Sequence, residues 1–406
     1  MLYDAYEMQR SLLAGASTLA NMGAGWLQNP ANPFSYSSMG PIVASALDVF
    51  AHASAPRGKP EFGLETTIVD GRVVQVDEDI VLRKPFGQLK RFRRIGVEGG
   101  PRLLIVAPMS GHYATLLRGT VERMLPRHDV YITDWRDAKL VPTEAGRFDL
   151  DDYVDYLIEF LEHIGPGAHM LAVCQPSVPA YAAAALMSAD KHPARPKTLT
   201  LMGGPVDTRE APTAVNSLAT ERPHSWFQQN VIATVPYPHP GAGRRVYPGF
   251  LQLAGFMTMN LGSHLNSHWE LFKHLVAGDG ESADSTKDFY DEYRAVCDMT
   301  AEFYLQTIDV VFQRHLLPKG EMTHRGRKVD PAAIKDIALL AIEGERDDIS
   351  GMGQTKAALK ISRGLPAAMK HYHLAQGVGH YGIFNGSKWR ERIAPVVENW
   401  IARHDG

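Results

Sequence analysis

The sequence predicts an α/β architecture: a mostly parallel sheet covered by helices on both faces and interrupted by a helical insertion. Three observations predict it. Short apolar, strand-like runs alternate with segments of helical spacing from about residue 66 onward. That alternation stops at Pro205 and returns at Ile337. One of two cysteines in 406 residues, Cys174, sits where a strand-like run breaks into a helix-like one. Such alternation is the rhythm of βαβ units, whose strands are buried on both faces.

Residues 1–60 are rich in Ala, Met, Ser and Pro, and their spacing predicts helices over 4–27 and 41–54, separated by Pro30, Pro33 and Pro41. This is an N-terminal extension expected to pack on the main domain. Contact with a second subunit, as a homodimer, or with a hydrophobic surface is the alternative. In TTIVDGRVVQV, Asp70-Gly71 separates two β-rich runs, a hairpin signal. Strands are expected at LLIVA (103–107), DVYITDW (129–135), HMLAV (169–173) and TLTLMGG (198–204). VERMLP belongs to a helix, and Val178 to Met187 reads as another. Leu150, Tyr153, Val154, Leu157, Ile158, Leu161 and Ile164 recur at helical spacing over 149–164.

Residues 205–330 read as mostly helical with no clear strand, and hold the clusters FLQLAGFMTMNL (250–261) and WELFKHL (269–275). Strand–helix order resumes with IALLAIEGERDD (337–348), MKHYHL (369–374) and a final helix over 388–402. The expected division is an extension at 1–60, a core at 61–204, a helical cap at 205–330 and the rest of the core at 331–406. That is the plan of an α/β-hydrolase fold with a lid.

Composition narrows the function. The chain is 45% hydrophobic and 21% charged, with a net charge of −3. It is an ordinary globular balance that offers no nucleic-acid surface. The basic run Lys90, Arg91, Arg93, Arg94 is local and reads as a solvated strand edge or loop, with an anion or granule contact as the alternative. Two cysteines fit a reducing cytoplasm rather than a disulfide framework. The start MLYDAYEMQR lacks the order of a secretory signal, and no apolar run approaches ~18 residues, so no membrane span is expected. The 17 histidines include no HExxH and there is no CxxC, so neither a metal nor another cofactor is expected.

The corner itself reads Ala172-Val173-Cys174-Gln175-Pro176. In α/β-hydrolases the nucleophile occupies a sharp strand-to-helix turn, usually G-x-S-x-G. Here alanine and proline hold the small positions, so the strict pattern fails while the geometry survives. Proline is tolerated in a first helical turn, where its missing N–H has no partner to lose. A helix N-terminus favours the thiolate, the reactive form of cysteine. Ser177, one turn further on, is a rival expected to cap or face the core. Cys297 is expected to pack inside the insertion.

A nucleophile of this kind needs a base and an orienting acid, in the order nucleophile, acid, histidine. Asp347 lies three residues beyond Gly344 at the end of a strand. Asp348 reads as a solvated neighbour, and Asp207 is a weaker candidate for the acid. His380 lies in AQGVGHYGIFNG, where glycines allow a close approach, whereas His371 and His373 lie inside a strand pattern. The oxyanion hole needs two backbone N–H groups. One is expected from Gln175, the other from Met109 or Ser110. His112 and Tyr113 of the same loop are candidates to line the pocket. Trp226, Phe227, Phe250, Phe256, Met257, Met259 and Trp269 are candidates for an apolar groove in the insertion.

The elbow LAVCQPSVPA, the acid loop EGERDDISGMGQT, the histidine loop GVGHYGIFNG and the opening MLYDAYEMQR resemble the intracellular polyhydroxybutyrate depolymerases over nearly the whole chain. The resemblance implies Cys174 as nucleophile, Asp347 as orienter and His380 as base. It also implies ester hydrolysis of poly(3-hydroxybutyrate) on cytoplasmic granules, or transfer of the acyl group to coenzyme A. Polyester synthases are relatives with a G-x-C-x-G elbow, from which AVCQP departs. A cysteine peptidase and an inert granule-binding protein are the remaining alternatives.

Overall fold

The computed structural model describes residues 2–56, 58–259, 291–292 and 294–406, with the side chains of 2 and 256–259 outside that description. Nine strands form the central sheet: β1 (Thr66–Val69), β2 (Arg72–Arg83), β3 (Gly87–Arg94), β4 (Arg102–Val106), β5 (Asp129–Trp135), β6 (His169–Val173), β7 (Thr198–Met202), β8 (Ala338–Gly344) and β9 (Lys370–Ala375). Their order is β1-β2-β3-β5-β4-β6-β7-β8-β9. The first three strands are antiparallel to their neighbours. From β5 to β9 every pairing is parallel. This is the α/β-hydrolase fold, with β1 added at one edge. The β1–β2 turn is the expected Asp70-Gly71, both at positive φ (48° and 78°), as a two-residue hairpin requires.

The parallel strands β4, β6, β7 and β8 are buried on both faces, and alternate residues enter two cores. Leu104, Val106, Met170, Ala172, Leu199 and Leu201 join the core that also holds residues of the helices Leu150–Ile164 and Ser177–Ala189. Leu103, Ile105, Leu171, Val173 and Met202 join the other, with residues of Arg118–Met124 and Ala394–His404. The helix at 150–164 starts at a reciprocal cap: Asp149 accepts from the Asp152 N–H, and Asp152 accepts from the Asp149 N–H. After β4 the chain runs to β5 on one side, then returns to β6 on the other. A crevice therefore opens between the carboxyl ends of β4 and β6, where α/β sheets place their ligands.

The N-terminal extension is two helices, Leu2–Gln28 and Gly40–Ser54. Tyr6 stacks on Phe250 at 3.9 Å between ring centroids, and the Tyr3 hydroxyl donates to buried Asp298. Met8, Leu12, Leu19, Met22 and Trp26 remain exposed along the first helix. Among the described residues no helix is long and apolar enough to cross a membrane.

The basic run differs from expectation. β3 lies between β2 and β5 instead of at an edge, and Lys90 and Arg94 are buried. Lys90 pairs with Glu78, Arg91 with Asp129, and Arg93 with Asp77 and Asp79. Three of the four charges are paired within the sheet, and Arg94 donates to the carbonyls of Pro126 and Gly99. Between β7 and β8 the described chain is largely helical: Ala214–Glu221, His224–Asn230, Gly249–Met259 and Ala301–Thr307, the last continuing as a π-helical turn at Ile308–Gln313. It also holds a small sheet of 233–234, 245–247 and 299–300, and a hairpin of 323–324 with 327–328. Strands of two or three residues carry too little alternation to be legible in sequence.

Candidate active site

Cys174 follows directly on β6 and precedes the helix at Ser177, with φ of +66°. A non-glycine residue there is held in a costly conformation by its surroundings. Two hydrogen bonds hold the corner: the Cys174 N–H donates to the Met202 carbonyl at 2.7 Å, and the Ser177 N–H to the Cys174 carbonyl at 3.1 Å. Close packing requires Gly204, since a Cβ there would meet Ser177 Oγ at 1.8 Å. The thiol is half-buried. Ser177 is fully buried beneath the corner and does not line the cavity.

The histidine loop after β9 returns to this corner. His380 Nδ1 lies 2.8 Å from Asp347 Oδ2, and its ring is in hydrogen-bonding reach of the Cys174 sulfur. The other carboxylate oxygen, Oδ1, accepts from the N–H groups of Ile349 (2.9 Å) and Ser350 (2.8 Å), which fixes the plane of the carboxylate. Burial lowers the basicity of His380, but its electrostatic interactions and hydrogen bonds with Cys174 and Asp347 outweigh that and hold the imidazole well above its ordinary value. Gly203, at φ +57°, lies against the pair, since a Cβ there would sit 3.2 Å from Asp347 Oδ2 and 3.4 Å from His380 Cε1. Glu343, buried in β8, accepts from Tyr372 Oη and from the N–H groups of Gly353 and Lys356, which steadies the loop carrying Asp347.

The other acid candidates lie apart. Asp207 makes a two-pronged pair with Arg209 at 2.8 and 2.7 Å. Asp348 is exposed. His371 and His373 lie in β9, the former stacked on Trp400. Cys297 is buried, its thiol pushed far up by burial.

Cys174 and His380 lie on a cavity of about 400 Å³ that is mostly apolar. Met109, Ser110, His112 and Gln175 line its core side; Leu218, Ala219, Phe227, Phe303, Ile308 and Phe312 line the side built by the segment between β7 and β8. The Met109 N–H donates to Gln175 Oε1 at 3.2 Å. Three expected groove residues are elsewhere. Tyr113 turns its hydroxyl to Asp137 at 3.3 Å and packs with Ala295 and Cys297, because His112 forms a β-bridge with Val296 that turns the next residue away. Trp226 packs edge-on against Phe227 with the Arg222 guanidinium over its ring, and does not line the cavity. Phe250 is taken by Tyr3 and Tyr6. The side chains of Phe256, Met257 and Met259, and Trp269 as a whole, lie outside the described residues. Sequence reasoning missed Leu218, Phe303, Ile308 and Phe312: helical spacing marks an apolar face without saying whether it meets core or cavity.

Residues 203–405 match the family model described as PHB de-polymerase C-terminus. No curated protein matches the sequence. Similar solved structures include a thermophilic esterase from Thermogutta terrifontis, with 13% identity, TM-score 0.42, and coverage of 87% of this chain and 100% of that one. The 2-hydroxy-6-oxo-6-phenylhexa-2,4-dienoate hydrolase from Rhodococcus sp. strain RHA1 has 10% identity, TM-score 0.43, and coverage of 81% and 99%. The esterase domain of a Rhodothermus marinus protein has 12% identity, TM-score 0.45, and coverage of 82% and 100%.

Proposed function

Because the chain belongs to the PHB depolymerase family, we propose that it hydrolyses the ester bonds of poly(3-hydroxybutyrate) with Cys174 as nucleophile, His380 as general base and Asp347 as orienter. The observation that supports this most is one arrangement: a cysteine at φ +66° on a strand–helix corner, beside a buried His380–Asp347 pair, at the wall of an apolar cavity.

The Cys174 sulfur attacks the ester carbonyl carbon, its proton residing on His380. The carbonyl oxygen becomes an oxyanion that the main-chain N–H groups of Gln175 and Met109 stabilise. Gln175 Oε1 holds the Met109 N–H through a long, neutral bond, which an oxyanion displaces because charge-assisted bonds are roughly twice as strong. As the intermediate collapses, the C–O bond to the alcohol breaks and His380 gives its proton to the departing oxygen. A thioester remains on Cys174. His380 then takes a proton from water, the hydroxide adds to the thioester carbon, and the C–S bond breaks to release a carboxylate and restore the thiol. Throughout, the Asp347 carboxylate, held by two N–H groups, keeps Nδ1 protonated and leaves Nε2 to move protons.

The segment between β7 and β8 acts in this reading as the cap over the acyl chain, since it supplies the apolar side of the cavity. The exposed apolar stripe of the first helix suits contact with an uncharged polyester surface, and supports a reading in which the enzyme works at granules. The test is clearance of amorphous poly(3-hydroxybutyrate) granules, with and without coenzyme A, by wild type, Cys174→Ala and Cys174→Ser, with soluble products identified. Wild-type clearance with release of 3-hydroxybutyrate acids, abolished by Cys174→Ala, is expected. Clearance by the Ala variant at the wild-type rate sinks the nucleophile, and products appearing only as coenzyme A thioesters replace water as the acceptor.

A further inference from the structure

The helix Gly249–Met259 lays Gln252 across the loop that carries Met109. Gly111, at φ +92°, makes room for it: a Cβ there would meet Gln252 Cγ at 2.9 Å and Gln252 Cβ at 3.1 Å. The contact is braced from behind. The Gly111 carbonyl accepts from the Cys297 N–H at 2.8 Å. Gly249, at the start of the helix, packs on Cys297, since a Cβ on it would meet the Cys297 carbonyl oxygen at 2.6 Å. The Gly249 N–H also donates to Asp298 Oδ1 at 2.9 Å. Gln252 is half-buried and lines the cavity with Met109, Cys174 and His380. Its amide makes no hydrogen bond among the described residues, whereas the Gln175 amide is held by the Met109 N–H. A mostly apolar cavity thus presents a free amide, on a braced helix, beside the loop of the oxyanion donor.

We propose that Gln252 is a specificity residue that donates a hydrogen bond to the carbonyl oxygen of the ester group next to the one being cleaved. Four bonds of about 1.5 Å join the carbonyl carbons of successive units, a reach of roughly 5 Å. Gly111 lies two residues beyond Met109, at most about 7 Å of chain. A carbonyl seated on the Met109 N–H therefore leaves its neighbour within reach of Gln252. The interior of the polyester offers acceptors and no donors, and the amide NH₂ supplies a donor. An ester with no second ester group enters the same cavity without meeting that amide, and a polar contact that one substrate makes and another lacks is a basis for discrimination. This inference rests on the reading of the cavity as a polyester hydrolase site, and it deepens that reading by stating how a chain of esters is told from a single one.

The experiment compares kcat/KM for the ethyl ester of the linear 3-hydroxybutyrate trimer and for ethyl 3-hydroxybutyrate in wild type, Gln252→Met and Gln252→Glu. Methionine keeps the Cβ and Cγ atoms that pack on Gly111 and removes the donor. The preference for the trimer should fall by about 3- to 10-fold in Gln252→Met. It should fall at least as far in Gln252→Glu, where an acceptor replaces the donor. A merely structural glutamine would lower both substrates in proportion, and an unaltered ratio overturns the proposal. A second arm needs no turnover: calorimetric dissociation constants for both esters in Cys174→Ala, with and without Gln252→Met. Tighter binding of the trimer that is lost with methionine supports the role of Gln252 even if hydrolysis by Cys174 is disproved. Trimer binding that methionine leaves unchanged overturns it even if hydrolysis stands.

Discussion

Asp347→Asn is the substitution that isolates charge from shape at the proposed triad. Oδ1 of Asp347 accepts from the N–H groups of Ile349 and Ser350, and the asparagine amide oxygen can keep both bonds. The atom facing His380 Nδ1 at 2.8 Å becomes an NH₂ group, which must donate. Nδ1 is then forced to accept, so the imidazole proton moves to Nε2 and the ring cannot take a proton from the sulfur or from water. The lost charge is also large. Two unit charges at that separation interact by ~6 kcal/mol at an effective dielectric of about 20. At 1.36 kcal/mol per tenfold this is about 10⁴ in rate, the order seen when a triad carboxylate is made an amide elsewhere. Steady-state hydrolysis of ethyl 3-hydroxybutyrate by matched preparations reads the effect, and circular dichroism melting checks the fold. A folded Asp347→Asn enzyme retaining more than about a tenth of wild-type kcat would refute Asp347 as the orienting acid.

Other substitutions bear on the same framework. Gly203→Ala adds a Cβ at 3.2 Å from Asp347 Oδ2, at a φ of +57°. It should cost about 1–2 kcal/mol in urea unfolding and lower kcat by at least about 10-fold; unchanged kcat would show that the pair tolerates displacement. Glu343→Ala removes three hydrogen bonds from a side chain 1% exposed, with an expected loss of roughly 2–4 kcal/mol; a loss under about 0.5 kcal/mol contradicts its bracing role. Asp298 has its pKa pushed up to about 6 by burial and then by Asp137, against the pull of Lys139 and Tyr3. Its folded value is raised, so the stability it contributes is complete below its ordinary value near 3.8 and is lost as pH rises through about 6. That is roughly 3 kcal/mol at 1.36 kcal/mol per pH unit. Urea unfolding between pH 4 and pH 7 should show this decline in wild type and a flatter profile in Asp298→Asn; parallel profiles would remove Asp298 from the account.

Much of the parallel sheet was legible because its inner strands are short, mostly apolar runs, such as RLLIV, HMLAV and ALLAIEG, that end at breaks in the pattern. The limits of β5 and β6 follow from sequence to the residue, and the Asp70-Gly71 turn is required by two left-handed residues. The corner was legible because a strand pattern broke at a cysteine followed by proline, and Asp347 and His380 because each follows a strand beside glycines. Side-chain direction was not. Tyr113 and Trp226 have the right chemistry for a groove but turn to Asp137 and to Arg222, the first a contact that exists only after folding, the second one set by how the chain bends between two short helices. The basic run on β3 was misplaced for the same reason: its partners Asp77, Asp79 and Asp129 belong to two other strands, and charge density along one strand says nothing of charge on its neighbours.

The loop carrying Asp347 joins the two sides of the cavity. Thr355 Oγ1 accepts from the Gly204 N–H and donates to the Gly204 carbonyl, tying the loop to the end of β7 beside the cysteine corner. From the same loop, Gln354 Nε2 donates to Asn216 Oδ1 at 2.7 Å, and the Ile349 carbonyl accepts from Thr213 Oγ1 at 3.0 Å. Thr213 and Asn216 are themselves the capping pair of the first helix of the segment between β7 and β8. A shift of that helix therefore pulls on Ile349 and Gln354, which flank the turn that orients the carboxylate. If that segment moves to admit a bulky polymer, the acid loop cannot remain indifferent: either the capping helix stays fixed and the opening occurs at the 301–313 wall, or the His380–Asp347 contact lengthens while the cavity is open. The hydrogen bonds favour the first course, because moving the 214–221 helix would break its ties to the acid loop while the 301–313 wall has no such tie to Asp347 among the described residues.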